Sequence, residues 1–427
     1  MRPDLADAAA AVLDANWLGH STLPSPRLYP HQWSWDSAFV AIGNAQRAPE
    51  RSRLELETLF EAQWTNGLVP HIVFNPESEA YFPGPETWRT DVSPHAPRDR
   101  ATSGIVQPPV HATAVWRVHS IAPDRDWLAR MLPRLAAWHD YLYRERDPEE
   151  DGLVAIRHPW ESGMDDSPAW DAPLAAIELA PGEVPPYPRK DLTMARADER
   201  PTAQAYDHYV HLVELFKRHR YDEREIRARS RFVVEDPCFN ALLAAAGDDL
   251  ASIAEELGED GSGFRERAAR TRDQVNRRLW NDALHAYVPF DRVARRQVLA
   301  PVAGGFVPLF ARIPSAGRAQ LMCRQLDSAH FWPHGGEGWP VPTCDRVHPG
   351  FVPTRYWRGP AWVNVNWLVL CGLRHYGFDA YADALRDATL ELVANAGFTE
   401  YFHPLTGEGL GAGGFSWSAA LTLDLLR

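Results

Sequence analysis

Apolar residues recur every three or four positions along much of the 427-residue chain, the spacing of a single buried helix face. Between 127 and 142, Leu128, Met131, Leu132, Leu135, Trp138 and Leu142 form one such stripe. Leu212, Val213, Leu215 and Phe216 mark a second helix. "FNALLAAAGDDLASIAEEL" (239–257) marks a third, stopped by Gly258. Further helices fit 263–280, 316–327, 361–376 and 379–396. Strand-like runs are few and short; "HAYVPF" (285–290) has the form of half a hairpin. The helices are spread evenly with no low-complexity linker, so an all-α fold in one domain over 1–427 is expected. Irregular stretches at about 70–110, 157–203, 328–360 and 401–416 interrupt it. Loops of that length are uncommon unless they carry a function. Paired helices with long loops at one end predict an α/α toroid whose loops build one cleft, although no strict repeat is present.

Composition narrows the function. Apolar residues make up 45% and charged residues 24%, ordinary for a globular chain, and a net charge of -13 argues against nucleic acid as a partner. The first residues, "MRPDLADAAAAVLDANWLGH", show no leader pattern, and no segment has the roughly 20 apolar residues that a membrane span needs. Cys238, Cys323, Cys344 and Cys371 are far apart and read as free thiols of a cytoplasmic protein. A homo-oligomer is neither indicated nor excluded. The outlier is tryptophan, with 17 copies, many in the irregular stretches beside Gly, Pro and carboxylates. Indole faces stack on the C–H face of a sugar ring.

Those stretches hold the candidate chemistry. "HPWESGMDDSPAWD" (158–171) sets Glu161, Asp165, Asp166 and Asp171 among Trp160 and Trp170, with Asp151 just upstream. Such a loop is either a polar turn with two packing anchors or a pocket where an aromatic wall faces a working carboxyl. "YPHQWSWDSAF" (29–39) offers Tyr29, Trp33, Trp35 and Asp36; Asp36 serves equally as a helix cap. The 70–110 stretch contributes Tyr81, Trp88 and Gln107, each of which also has a plain structural role. Arg200 precedes Pro201 and a helix that Thr202 can cap, so it is placed either to grip an anion or to pair with Asp198 or Glu199 at the surface. "VPTRYWRGPAWVNVNWL" (352–368) presents Tyr356, Trp357 and Trp362, with Pro360 fitting the first turn of a helix that carries Trp362 and Asn366 on one face. Glu400 follows the 379–396 helix, and the glycines of 407–414 are a candidate lid hinge.

Competing sets are missing. H-E-x-x-H, G-x-S-x-G, a P-loop and a dinucleotide fingerprint do not occur. "DPEEDG" (147–152) imitates a calcium loop, but its twelfth position is His158 instead of Glu. No metal or cofactor is expected. Carboxylates among tryptophans fit glycoside hydrolysis, in which one acid stays protonated and a second carboxylate activates water.

"ESGMD" (161–165) resembles the acid-bearing motif of glycoside hydrolase family 63 and its trehalase relatives. "YPHQWSWDS", "SGIVQPPVHA", "RPTAQAY", "YWRGPAW" and "EYFHPLTGEGLG...FSW" resemble the mannosylglycerate and glucosylglycerate hydrolases of that group, in order from residue 29 to 417. The resemblance implies an (α/α)6 barrel, inversion at the anomeric carbon and a small carbohydrate substrate. It also implies Asp165 as general acid and Glu400 as general base. Tyr29, Trp33, Trp35, Asp36, Gln107, Tyr356, Trp357 and Trp362 would line the sugar pocket, and Arg200, Tyr206 and Tyr81 would meet the glycerate. Two departures stand out: Asp166 replaces the motif's usual Asn and would raise the Asp165 pKa, and "GAGGFSW" replaces acidic residues. A trehalase-like α-glucosidase is the nearest alternative. A sugar epimerase would need a histidine base, and a catalytically silent sugar-binding protein would leave its ligand intact.

Overall fold

The computed structural model describes residues 3–333 and 335–427. Met1 and Arg2, which begin the stretch tested above for a leader, lie outside the described residues, as does His334 in the 328–360 stretch. The structure is helix-rich. Twelve α-helices of ten or more residues occur among the described residues: α1 (Pro3–Ala15), α2 (Ser34–Asn44), α3 (Pro49–Glu61), α4 (His111–Ile121), α5 (Arg125–Arg146), α6 (Ala203–Arg218), α7 (Pro237–Glu256), α8 (Ser262–Gln274), α9 (Ala316–Leu326), α10 (Val363–His375), α11 (Asp379–Ala396) and α12 (Ser416–Leu425). Several starts are written locally. Asp124, Thr202, Asp236 and Ser315 are extended residues whose side chains accept a first-turn N–H of α5, α6, α7 and α9. Each such cap is worth about 1 kcal/mol.

Burial sorts the helices. α2 is buried along its whole length, and α7, α10 and α12 nearly so, as befits interior helices that are apolar on most sides. α2 packs on α4, α4 on α7, α7 on a 3-10 segment at Ala303–Leu309, that segment on α10, α10 on α12, and α12 back on α2. Outside this circuit, α1 covers α12, α3 covers α2 and α4, α5 covers α4 and α7, α8 covers α7, and α11 covers α10 and α12. α6 instead packs against a short helix at Pro85–Trp88.

Among the described residues, ten short strands join the helices: β1 (Gln32–Trp33), β2 (Ile72–Val73), β3 (Ala155–Ile156), β4 (Val234–Glu235), β5 (Trp280–Asn281), β6 (Ala286–Tyr287), β7 (Phe290–Asp291), β8 (Arg296–Gln297), β9 (Thr399–Phe402) and β10 (Gly409–Gly413). They form an antiparallel sheet β3-β4-β7-β8 and the pairs β1-β2, β5-β6 and β9-β10.

Four sequence expectations need correction. The 401–416 stretch is no irregular loop, because β9 and β10 form a ladder with Leu410 opposite Tyr401 and Gly409 opposite Phe402. Glu400 therefore sits on a strand. Pro360 lies outside α10, because Ala361 exchanges backbone hydrogen bonds with Phe402 at 2.8 and 2.9 Å and keeps the chain extended. Trp362 is consequently the extended residue before the helix, not a member of one helical face with Asn366. The helix expected over 263–280 ends at Gln274 and passes into a π turn at Val275–Leu279. The 285–290 run does supply half a hairpin, since β6 pairs with β5, and its last residue begins β7 of the four-stranded sheet. No helix among the described residues is long and apolar enough to cross a membrane.

Candidate active site

The thirteen residues to which the resemblance gave a site role all line one cavity, of about 550 Å³ including its open mouth, whereas the further candidate Trp88 does not. They arrive from separate elements: Tyr29 and Trp33 at β1, Trp35 and Asp36 in the first turn of α2, Tyr81 and Gln107 ahead of α4, and Asp165 after a 3-10 turn at Pro159–Ser162. Arg200 and Tyr206 flank the start of α6, Tyr356, Trp357 and Trp362 lead into α10, and Glu400 lies on β9. Pro24, His71, Trp160, Gly163, Phe415 and Trp417 line the cavity as well. Of these the sequence reading offered only Trp160, as an aromatic wall beside the acid; the cluster around Trp417 was a usable signal for the rest.

Asp165 is half-buried and faces the cavity from deep inside the molecule. Its backbone carbonyl accepts the Tyr209 hydroxyl at 2.6 Å, and Gly163 two residues before it takes φ +69°. A Cβ at Gly163 would stand 2.5 Å from the Trp35 ring, so this turn needs glycine both for its backbone and for the indole lying on it. Burial lifts the Asp165 pKa from 3.8 to about 7; the Arg200 charge opposes the rise, and Asp166 and Glu400 add to it. The expected push from Asp166 is present, but burial leads. Asp166 itself is buried and faces Arg358 at 3.4 Å.

Glu400 is 1% exposed, yet groups that favour its anion surround it. Tyr29 donates its hydroxyl to Oε1 at 2.7 Å, the Ala412 N–H donates to Oε2 at 3.0 Å, and Arg200 Nη1 lies 3.8 Å away. Burial still raises its pKa, against Arg200, Tyr29 and Ala412. Burial thus raises both carboxyls, and at 400 two hydrogen-bond donors and the Arg200 cation oppose the rise. Gly411 lets the hairpin reach Glu400, because at φ +68° a Cβ there would stand 2.5 Å from Oε2.

Arg200 is buried, which corrects the surface-pair reading. Its Nη1 donates to the Tyr29 hydroxyl at 2.9 Å, its Nε faces Asp191 at 3.4 Å, and its guanidinium lies 4.3 Å over the Tyr356 ring. The Tyr29 proton goes to Glu400, so the Tyr356 hydroxyl, 3.2 Å away, donates to Tyr29. Asp191 was missed from sequence; it holds Arg189 and Arg200 together, and Arg189 lies 3.8 Å over the Tyr206 ring. Glu199 was missed too, and accepts the Gly411 N–H at 3.1 Å.

The remaining wall is aromatic. Trp357 and Trp362 stack at 3.8 Å, Trp35 meets Trp417 edge-on at 5.5 Å, and Trp33 meets Tyr29 and Tyr81 edge-on. Gln107 Oε1 accepts the Trp35 N–H at 3.1 Å. Asp36 is buried in the first turn of α2, not at its cap, and burial raises its pKa well above the usual carboxylate range.

Residues 29–418 match the model of the mannosylglycerate hydrolase MGH1-like glycoside hydrolase domain. The chain belongs to this glycoside hydrolase family. It is 49% identical to a mannosylglycerate hydrolase of Rubrobacter radiotolerans, over 99% of this chain and 97% of that one. It is 38% identical to a glucosylglycerate hydrolase of Mycolicibacterium hassiacum, over 99% and 97%. A solved family 63 mannosylglycerate hydrolase of Thermus thermophilus, in complex with Tris and D-glycerate, superposes with a TM-score of 0.93 at 44% identity, covering 99% of this chain and 100% of that chain.

Proposed function

We propose that this glycoside hydrolase cleaves an α-glycosyl-glycerate, mannosyl or glucosyl, to hexose and D-glycerate with inversion at the anomeric carbon. Asp165 delivers its proton to the glycosidic oxygen, and the C–O bond breaks towards D-glycerate. Glu400 takes a proton from water, whose oxygen attacks the opposite face of the sugar. The observation that carries this reading is two carboxyls facing one cavity: Asp165, raised to about 7 by burial, and Glu400, which accepts from Tyr29 and Ala412 with Arg200 beside it. Inversion requires a gap of about 6.5–9.5 Å between the two carboxyls to hold the water.

The aromatic wall receives the hexose, with Asp36 and Gln107 as polar partners. Arg200 and Tyr206, with Tyr81 nearby, take the glycerate carboxylate. A guanidinium has five donors, more than Tyr29 and Asp191 occupy. A buried cation beside the acid favours an anionic aglycone over the neutral second sugar of a trehalase. The closed circuit of six packed segments, five of them covered by an outer helix, supports an (α/α)6 barrel in a single domain. Free cysteines fit a cytoplasmic setting. The test is a panel of α-glycosides with wild type, D165A and E400A. Turnover of glycosyl-glycerates by wild type, with losses of several decades in both variants, supports the assignment; retained turnover in either variant rejects it.

A further inference from the structure

Behind the acid-bearing turn lies a cluster of charged side chains sealed from solvent: Arg146, Arg157, Glu161 and Glu223. Glu161 is 0% exposed, and its carboxylate is saturated. Arg146 grips both oxygens at 2.8 and 2.9 Å, the Arg157 N–H reaches Oε2 at 2.6 Å, and the Val106 N–H reaches Oε1 at 3.3 Å. A buried ion pair is a poor source of net stability, because desolvation offsets the Coulomb attraction. What this arrangement does provide is a fixed point. One carboxylate ties the 157–162 turn to the 105–107 segment, and the residues that follow each tie face the cavity: Asp165 four positions after Glu161, and Gln107 next to Val106.

The chain between Glu161 and Asp165 has little freedom to absorb a shift. Ser162 Oγ donates to the Pro159 carbonyl at 2.6 Å and accepts the Met164 N–H at 2.9 Å, Gly163 lies under Trp35, and the Trp170 indole donates to the Met164 carbonyl at 2.8 Å. We infer that Glu161 is a positioning residue for the general acid, aiming Asp165 at the glycosidic oxygen without touching substrate. This rests on the reading of Asp165 as the acid.

The experiment uses leaving groups that differ in their need for a proton. A glycerate alkoxide departs only when protonated, whereas fluoride leaves an α-hexosyl fluoride with little protonation. E161Q and E161D are compared with wild type on the glycosyl-glycerate and on the fluoride, with D165N as reference. E161D keeps the charge balance around Arg146 and serves where E161Q does not fold. A displacement of the acid by roughly 1 Å costs on the order of a hundred-fold. The expected result is a kcat loss of that size on the glycosyl-glycerate with only a few-fold loss on the fluoride, the same selectivity as D165N. Equal losses on both substrates in the Glu161 variants, or full activity, overturn the inference while a selective D165N leaves the acid assignment standing. A D165N enzyme that loses both activities equally refutes the acid itself, and the role of Glu161 with it.

Discussion

Exchanging Arg200 for Met removes a buried cation with three neighbours: the Tyr29 hydroxyl at 2.9 Å, Asp191 at 3.4 Å and Glu400 at 3.8 Å. Two losses follow, and they are read by different measurements. The glycerate carboxylate loses its charge-assisted hydrogen bonds, worth about 1.5–3 kcal/mol each, so kcat/KM for glucosylglycerate should fall by about two orders of magnitude. Glucosylglycerol, which has the same sugar and no carboxylate, should fall much less. The ratio of the two substrates therefore carries the prediction, and any general damage cancels in it. The second loss concerns Glu400, whose anion Arg200 stabilises. Without that cation the Glu400 pKa rises, and the acidic limb of the kcat/KM profile moves to higher pH. Arg200→Lys should restore the limb better than it restores the substrate ratio, since a lysine supplies charge but no planar pair of donors. Equal losses on the two substrates in R200M, with an unmoved acidic limb, would refute the role given to Arg200.

Three further outcomes are expected. The basic limb of the wild-type kcat/KM profile should lie near pH 7, because Asp165 is held at about 7 in the free enzyme and must be protonated to act; a limb two units higher contradicts this. D165N should be more stable than wild type, and increasingly so from pH 4 to pH 8: the native state holds a proton that the unfolded chain releases near 3.8, so wild-type stability falls as pH rises towards 7. The shift sets a ceiling of roughly 4 kcal/mol, which cavity water should reduce to about 1–2; a Tm gap that is constant with pH would count against it. Gly411→Ala should lower kcat by about ten-fold or more through Glu400, whereas Gly413→Ala, where a Cβ meets nothing within 4 Å, should be nearly silent; equal activities would undo the argument for close approach.

The helices were legible where one face repeats, as in the 128–142 stripe, and α11 has the expected bounds of 379–396. The inner segment Ala303–Leu309 was not, because "AGGFVPL" offers a 3-10 turn Gly and Pro residues without a periodic stripe. The β9-β10 hairpin escaped for a similar reason: glycines present no alternating side chains, and the pairing is made by backbone bonds. Site residues were legible where aromatic and acidic residues crowd together or carry the family resemblance. The roles of Asp191 and Glu199 were hidden because their importance lies in partners brought in by the fold, Arg200 for Asp191 and Gly411 for Glu199; Glu161 was singled out, but its tie to Val106 was not legible. The calcium-like "DPEEDG" resolves into a turn in which Asp147 accepts the N–H groups of Asp151 and Gly152.

The anomer released in the first moments of turnover decides most directly whether Asp165 and Glu400 work as acid and base on opposite sides of the sugar. Proton NMR of glucosylglycerate and mannosylglycerate hydrolysis, recorded faster than mutarotation, should show the β-hexose appearing first alongside D-glycerate. Release of the α-hexose first, or neither compound being hydrolysed, would contradict it.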